Sequence, residues 1–340
     1  MLVSEFDFEL PPNLIAQTPP AERGSSRMLV VSREKQTFED GLFSDFHKHV
    51  GPGDCVVLNN TRVFPARLRG RRNHVEGPEV EILLVRSRRP DETVWRALAR
   101  PAKRARRGDM IFFDACLKAV VIEEGEHGER TLEFQSPEPL ATVFERIGSV
   151  PLPPYIRRKP EEFDRERYQT VFAEKRGSVA APTAGLHFTE EMLELCRAEG
   201  AVIAYVTLHV GLGTFAPLRT SRVDEVQLHE EYFEIDNSSA AAIQASRRCV
   251  CVGTTSVRAL ETAMLRGGVR AMQGETNLFI SPGFTFRAAG ALLTNFHLPQ
   301  SSLLILVSAF AGKDLILRAY RHAVEAQYRF FSYGDCMLVL

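Results

Sequence analysis

The spacing of the apolar runs changes at Val63, and that change limits the folds open to this chain. Over residues 63–149 six short runs follow one another at close intervals: 66–69, 80–85, 94–99, 110–113, 117–122 and 131–134. Only charged or glycine-containing turns separate them. A parallel strand pair needs a crossover of a dozen or more residues, whereas antiparallel strands close through short turns. The segment therefore reads as an all-β module, a small barrel or sandwich. Glu124-Gly-Glu-His-Gly-Glu has the composition of a hairpin loop between its last two strands. A helical stretch, Leu140–Ile147, closes it.

The flanks have another rhythm. A short strand is expected at 29–32, a helix over 42–50 stopped by Gly51-Pro-Gly-Asp, and a buried strand at 55–58 running into Asn59-Asn-Thr-Arg. Beyond the proline-rich crossing Val150-Pro-Leu-Pro-Pro-Tyr, strands and helices alternate. Thr189 is a good helix cap, with Glu190 and Glu191 in the first turn and Gly200 after the last. Strands are expected at 202–210 and 249–252, the latter followed by Gly253-Thr-Thr-Ser and a helix to Leu265. Two further strands bracket Ser281-Pro-Gly, and helices are expected over 299–310 and 314–328. The economical architecture is one α/β domain built from residues 1–62 and 150–340, with the all-β domain of residues 63–149 inserted into it.

A chain of 340 residues with 44% apolar side chains can build such cores without staples. Its six cysteines form no CxxC pair and read as reduced thiols of a cytoplasmic protein. The acidic, alternating start is unlike a signal peptide, and no apolar run is long enough for a membrane span. Net charge is −1, yet residues 63–107 hold thirteen Lys and Arg against five Asp and Glu. Three basic clusters lie there: Arg67, Arg69, Arg71 and Arg72; Arg86, Arg88 and Arg89; then Arg100 with Lys103, Arg104, Arg106 and Arg107. Such asymmetry suggests a localised anionic partner such as RNA, against the plain alternative of a solvated face.

Chemistry-bearing residues gather at expected element ends. His187 lies in Ala180-Ala-Pro-Thr-Ala-Gly-Leu-His-Phe-Thr, and His209 opens His209-Val-Gly-Leu-Gly-Thr-Phe. His297 lies in Asn295-Phe-His-Leu-Pro, and His229 precedes Glu230. From Gly211 to Ala216 the chain matches G-x-G-x-x-A, but Pro217 and the polar run after it do not make the amphipathic helix that a dinucleotide fingerprint requires. Gly253-Thr-Thr-Ser offers amides and hydroxyls at a helix start, suited to a carboxylate or phosphate, or simply an ordinary capped turn. No histidine spacing signals a metal site.

Together these segments resemble the S-adenosylmethionine:tRNA ribosyltransferase-isomerase family, and the likeness runs the whole length. It rests on Asp7-Phe-Glu-Leu-Pro, Leu58-Asn-Asn-Thr-Arg-Val, Val150-Pro-Leu-Pro-Pro-Tyr-Ile and Ala181-Pro-Thr-Ala-Gly-Leu-His-Phe-Thr. It continues through His209-Val-Gly-Leu-Gly-Thr-Phe, Val252-Gly-Thr-Thr-Ser-Val-Arg, Leu293-Thr-Asn-Phe-His-Leu-Pro, Val307-Ser-Ala-Phe-Ala-Gly and Phe331-Ser-Tyr-Gly-Asp. Asn277 and Cys336 depart from the common Asp and Ala. The resemblance implies a barrel-like α/β body with an inserted β-barrel. It also implies that S-adenosylmethionine serves as a ribosyl donor to 7-aminomethyl-7-deazaguanine at the tRNA wobble position, with adenine and methionine released. No prosthetic group or metal is expected.

On this basis His187, His209, His229, Glu230 and His297 are candidates for proton transfer. Asn59, Asn60, Thr183, Thr254, Thr255 and Asn295 are candidates to position the nucleoside and amino-acid ends, and Arg62 and Arg258 to meet a carboxylate or phosphate. Gly185, Gly211, Gly213, Thr214, Gly253 and Ser256 complete the expected substrate site. Lys103, Arg104, Arg106 and Arg107 are the expected tRNA contacts. Two rivals are another S-adenosylmethionine-dependent tRNA enzyme, such as a methyltransferase, and a non-catalytic RNA-binding protein. The missing glycine-rich strand–helix fingerprint argues against the first. The polar segments outside the insert argue against the second.

Overall fold

The computed structural model describes residues 1–89, 91–211, 218 and 220–340. Gly213 and Thr214 lie outside the described residues. In chain order the body opens with β1 (Arg27–Ser32), β2 (Thr37–Leu42), β3 (Asp54–Asn59) and β4 (Thr61–Val63). The insert follows: β5 (Arg67–Arg72), β6 (Glu79–Ser87), β7 (Val94–Arg100), β8 (Met110–Phe112), β9 (Lys118–Glu124), β10 (Glu129–Gln135) and α1 (Leu140–Ile147). The body resumes with α2 (Asp164–Arg167), β11 (Lys175–Ser178), α3 (Glu190–Ala198), β12 (Val202–Leu208), β13 (Glu231–Ile235) and α4 (Asn237–Ala245). It ends with β14 (Arg248–Val252), α5 (Thr254–Leu265), β15 (Met272–Thr276), β16 (Ala289–Asn295), α6 (Ser302–Ala311), α7 (Lys313–Glu325) and β17 (Cys336–Val339).

β5 to β10 close into a six-stranded antiparallel barrel in the order β10-β7-β6-β5-β8-β9. Alternate residues point inward, as a period of two dictates: Val80, Ile82 and Leu84 of β6 meet Trp95, Ala97 and Ala99 of β7 in one core, capped by Val143 and Phe144 of α1. Outward positions alternate in charge, so Arg67, Arg69, Arg88, Arg89 and Arg96 each pair with a glutamate on the barrel surface.

The body is a nine-stranded mixed sheet, β15-β13-β12-β3-β14-β16-β17-β1-β2. The resemblance implied a barrel-like body; here β15 and β2 are the two end strands of the array. β12, β3, β14 and β16 run parallel, so their carboxyl ends share one edge. Parallel strands covered on both faces need near-continuous apolar runs, which explains Cys55-Val-Val-Leu and Cys249-Val-Cys-Val. Cys55, Val57, Cys249 and Cys251 face one core; Val56, Leu58, Val250 and Val252 face the other.

The expected helix over 42–50 is a 3₁₀ segment, Phe43–His49. Phe43 and Phe46, three apart, eclipse on one side of such a turn, and both are fully buried. Thr189 caps α3 as expected, its hydroxyl accepting from the Met192 amide at 3.2 Å. Among the described residues no helix is long and apolar enough to cross a membrane.

Candidate active site

The polar residues read from the sequence fall largely along the shared carboxyl edge of β12, β3, β14 and β16. They form two patches. The first lies where β14 and β16 end. Gly253 has φ of 87°, a left-handed conformation that favours glycine, and starts α5 with its amide donating to Leu293 O at 2.8 Å. A Cβ built on Gly253 would sit 3.7 Å from Ala184 Cβ, so the start of α5 abuts the 3₁₀ turn Thr183–His187.

Asn295, the last residue of β16, ties this patch together. Its amide nitrogen donates to Phe331 O at 2.9 Å and lies 3.2 Å from His187 Nε2. Because the Phe331 carbonyl can only accept, it fixes which end of the carboxamide is nitrogen. His187 Nδ1 lies 2.9 Å from Ser26 Oγ. Two residues on, His297 Nε2 lies 2.9 Å from Thr294 Oγ1, and the His297 amide donates to the Tyr320 hydroxyl at 3.1 Å. Burial holds the imidazoles of His187 and His297 neutral, bringing them down to about 4 and about 3.

Thr183, Asn295 and His297 line a cavity of about 370 Å³, within the range of small-molecule sites. Tyr155, Phe331 and Ser332 also line it, and sequence reasoning gave them no role. The Tyr155 and Phe331 rings are 4.2 Å apart, and the Tyr155 hydroxyl hydrogen-bonds Ser332 Oγ. Both sit in segments that carry the family resemblance, Val150-Pro-Leu-Pro-Pro-Tyr and Phe331-Ser-Tyr-Gly-Asp; that they are neighbours was not visible from a separation of 177 residues.

The second patch lies where β12 and β3 end. His209 Nδ1 is 2.7 Å from Thr61 Oγ1, and its ring stacks on Tyr232 at 5.4 Å. A Cβ on Gly177 would fall 2.5 Å from His209 Nε2, so glycine is what lets the ring pack there. Burial lowers His209 to about 4, with Glu234 opposing and Lys175 and Arg86 reinforcing. At a strand spacing of ~4.8 Å, three steps along the sheet put His209 roughly 14 Å from β16. His187 and His297 thus share a patch; His209 shares only the edge.

Several expected ligands are already engaged. The Asn59 side chain bonds Leu208 and Thr61 backbone, and Asn60 bonds Glu174 and Thr207, so both lock β3 to its neighbours. Arg258 is buried in an ion pair with Glu231, whose other oxygen accepts the Gly211 amide at 2.7 Å. That partner, absent from the sequence reading, engages Arg258 Nη1, while the buried Nη2 has no hydrogen-bond partner among the described residues. Ser256 donates to Val252 O, and Gly185 packs against Phe172 and Thr170. Thr254 is buried beside Thr255, whose hydroxyl has no partner among the described residues. Arg62 is exposed. So are His229 and Glu230, just before the strand that carries Tyr232 of the second patch; the neighbouring Glu275 carboxylate raises Glu230, and Glu275 is itself paired with Arg86 of the barrel.

On the barrel, Arg130 is buried and donates to the Ala102 and Ala105 carbonyls, holding the turn that carries the third basic cluster. Lys103, Arg106 and Arg107 are exposed there, and Arg104 donates to Glu79 O at 2.7 Å. The other two clusters are largely spent on cross-strand pairs. Among the described residues no group of three His, Cys, Asp or Glu side chains is placed to hold a metal.

Residues 3–339 match the family model described as queuosine biosynthesis protein. The chain belongs to that family. It is 56% identical, over the full length of both proteins, to the S-adenosylmethionine:tRNA ribosyltransferase-isomerase of Solibacter usitatus (strain Ellin6076). The crystal structure of the S-adenosylmethionine tRNA ribosyltransferase from Thermotoga maritima is 38% identical, with a TM-score of 0.57 covering 99% of this chain and 100% of that one.

Proposed function

We propose that this chain transfers and isomerises the ribosyl group of S-adenosylmethionine onto 7-aminomethyl-7-deazaguanine at the tRNA wobble position, giving epoxyqueuosine-tRNA and releasing adenine and methionine. The observation that carries this reading is the end-to-end, 56% identity to an enzyme of that name. The site is chemically suited to it. A sulfonium acidifies the adjacent ribose C5′ hydrogen, so a modest base suffices to remove it. The sulfonium is a cation, and the imidazoles of His187 and His297 stay neutral at physiological pH and do not repel it. His297 at the cavity wall and His187, which adjoins it through Asn295, are the proton-transfer candidates of this reading, with Thr183 and Asn295 as polar contacts at the wall and Thr255 at the start of α5; His209 serves the other patch.

Residues 63–149 form the inserted domain in this reading, and its turn bearing Lys103, Arg104, Arg106 and Arg107 meets tRNA phosphates. A tRNA acceptor supports a cytoplasmic setting for this reaction. The test is product analysis with two tRNAs. Adenine and methionine should appear together with tRNA carrying the aminomethyl-deazaguanine. Equal release with guanine at the wobble position would show that the acceptor is wrong, and S-adenosylhomocysteine as product would show a methyltransferase.

A further inference from the structure

A second, smaller recess shares a wall with the cavity. It measures about 20 Å³, and Pro19, Pro20, Ser26, Arg167, His187 and Ser332 are among its lining residues. Ser332 lines the larger cavity too, so the two spaces are neighbours across one residue. Roughly 10–15 Å³ holds one water, so this recess takes a single oxygen-sized group and no ring.

Its donors are unspent. Asn295 gives its amide hydrogens to Phe331 O and His187 Nε2, so that ring nitrogen is an acceptor. Burial keeps the ring neutral, its one proton is therefore on Nδ1, and Nδ1 donates to Ser26 Oγ. The Ser26 hydroxyl proton is left over, without an acceptor among the described residues, although Ser26 is only 3% exposed. Arg167 is a cation without a counterion. Its guanidinium donates to Ala21 O at 3.1 Å and Pro20 O at 2.6 Å, and it pairs with no carboxylate among the described residues. Arg23, close enough to feel that charge, is likewise held by the Glu166, Gln169 and Leu186 carbonyls. Carbonyls fix a guanidinium and leave its net charge in place. The Glu166 carboxylate acts on Arg23 only through space, and Asp164 is taken up by Arg158 and Tyr333. Among the described residues no carboxylate lines the recess.

Fixed positive charge, a spare hydroxyl proton and room for one oxygen make an oxyanion site. Resting on the functional reading above, we propose that this recess seats one backbone phosphate of the tRNA, next to the modified nucleoside. One non-bridging oxygen enters and accepts from Ser26 and the Arg167 guanidinium; the other stays in solvent. The carboxylate of S-adenosylmethionine is the poorer match, because the ammonium on its neighbouring carbon would face Arg167 and Arg23 with no carboxylate to meet it. A phosphodiester carries no such cation. With the modified base at the larger cavity, the shared Ser332 wall brings the adjoining phosphate to the recess.

The test is a scan of the modified anticodon stem-loop in which each phosphate in turn becomes an uncharged methylphosphonate, with affinity for the full chain read by filter binding. One position flanking the modified nucleoside should lose about tenfold or more, the value of a charge-assisted hydrogen bond, and lower the logarithmic salt slope by about 0.7. That loss should vanish in Arg167→Ala, with unchanged affinity for S-adenosylmethionine as the sign that the variant folds. It should persist when Lys103, Arg104, Arg106 and Arg107 are replaced by Ala. The scan itself uses the unsubstituted protein, so a flat scan beside the modified nucleoside overturns the proposal whatever the variants do. A loss that Arg167→Ala leaves intact overturns it as well. If Arg167→Ala weakens S-adenosylmethionine and not the stem-loop, the recess belongs to the methionine carboxylate and the proposal fails. Adenine and methionine release on the same preparation separates the two readings. Release with a flat scan removes the phosphate site and keeps the reaction; a phosphate coupled to Arg167 without release does the reverse.

Discussion

Burial decides what each histidine of this protein can do. An imidazole in water titrates near ~6.5, and on sequence alone a histidine cluster predicts activity that falls through that range. The folded protein moves the range down, because His187 and His297 reach only about 4 and about 3. Activity that depends on their neutral forms should therefore persist at pH 6 and fail nearer pH 4, which a pH–rate profile checks. Stability follows with a definite sign. The unfolded chain binds protons at these sites below about 6.5 while the folded chain does not, so stability is full above that value and declines as pH falls. Each buried histidine should cost about 1.4 kcal/mol per pH unit between its two values, measurable as a falling urea midpoint from pH 7 to pH 5. Arg258 shows the same dependence on surroundings. Its sequence context suited an anion, but its carboxylate partner Glu231 lies on β13, a five-residue strand that the periodicity did not reveal. Glu231→Gln should destabilise by about 3–5 kcal/mol, because it strands a buried guanidinium; Glu231→Gln combined with Arg258→Met should cost less, as denaturant melts would show. Asn295 and His297 were legible because they end an apolar run before a proline. Tyr155 and Ser332 were not, since only the fold makes them neighbours.

Secondary elements were legible in proportion to the length of their pattern. All six barrel strands, α1, α3, α5 and the two-sided strands β3 and β14 announce themselves by alternation, caps or unbroken apolar runs. β4, β11 and β17 have three or four residues each, too few to establish a period. The 3₁₀ segment at Phe43–His49 imitates a helix because apolar residues three apart suit both. Charge was the least legible property. The insert's sequence reads as broadly basic, yet cross-strand pairing absorbs most of it and leaves one turn, braced by Arg130, with its cations turned outward. Replacing Lys103, Arg104, Arg106 and Arg107 by Ala should raise the KM for tRNA and flatten the logarithmic salt dependence of binding by up to about four counterions, without changing affinity for S-adenosylmethionine. The same replacement at Arg69, Arg88, Arg89 and Arg96 should change the salt slope much less. Filter binding across a salt series compares the two; equal slopes would mean that pairing does not silence the barrel wall.

At the scale of the whole molecule, the sheet is assembled out of sequence order. β17 sits between β16 and β1, bonded on both sides, and Met28 pairs with Cys336. Leu338 is fully buried in that strand. Leu338→Pro removes a ladder donor and should destabilise by about 3 kcal/mol or more, seen as lost soluble yield and a lowered denaturation midpoint; a proline at exposed Glu126, in the β9–β10 loop, should be far milder. The placement also has a temporal side. As a ribosome extends the chain, β1 and β2 emerge early as a hairpin whose inner edge has no neighbour, and an unpaired edge is a template for pairing with other chains. The barrel, made of strands close together in sequence, has all its partners once residue 135 has emerged. The body does not, because its keystone arrives only with residues 336–339. A nascent chain of this protein should pass through a stage with a finished barrel attached to an unfinished sheet, and at that stage a chaperone would find its substrate in the hairpin edge.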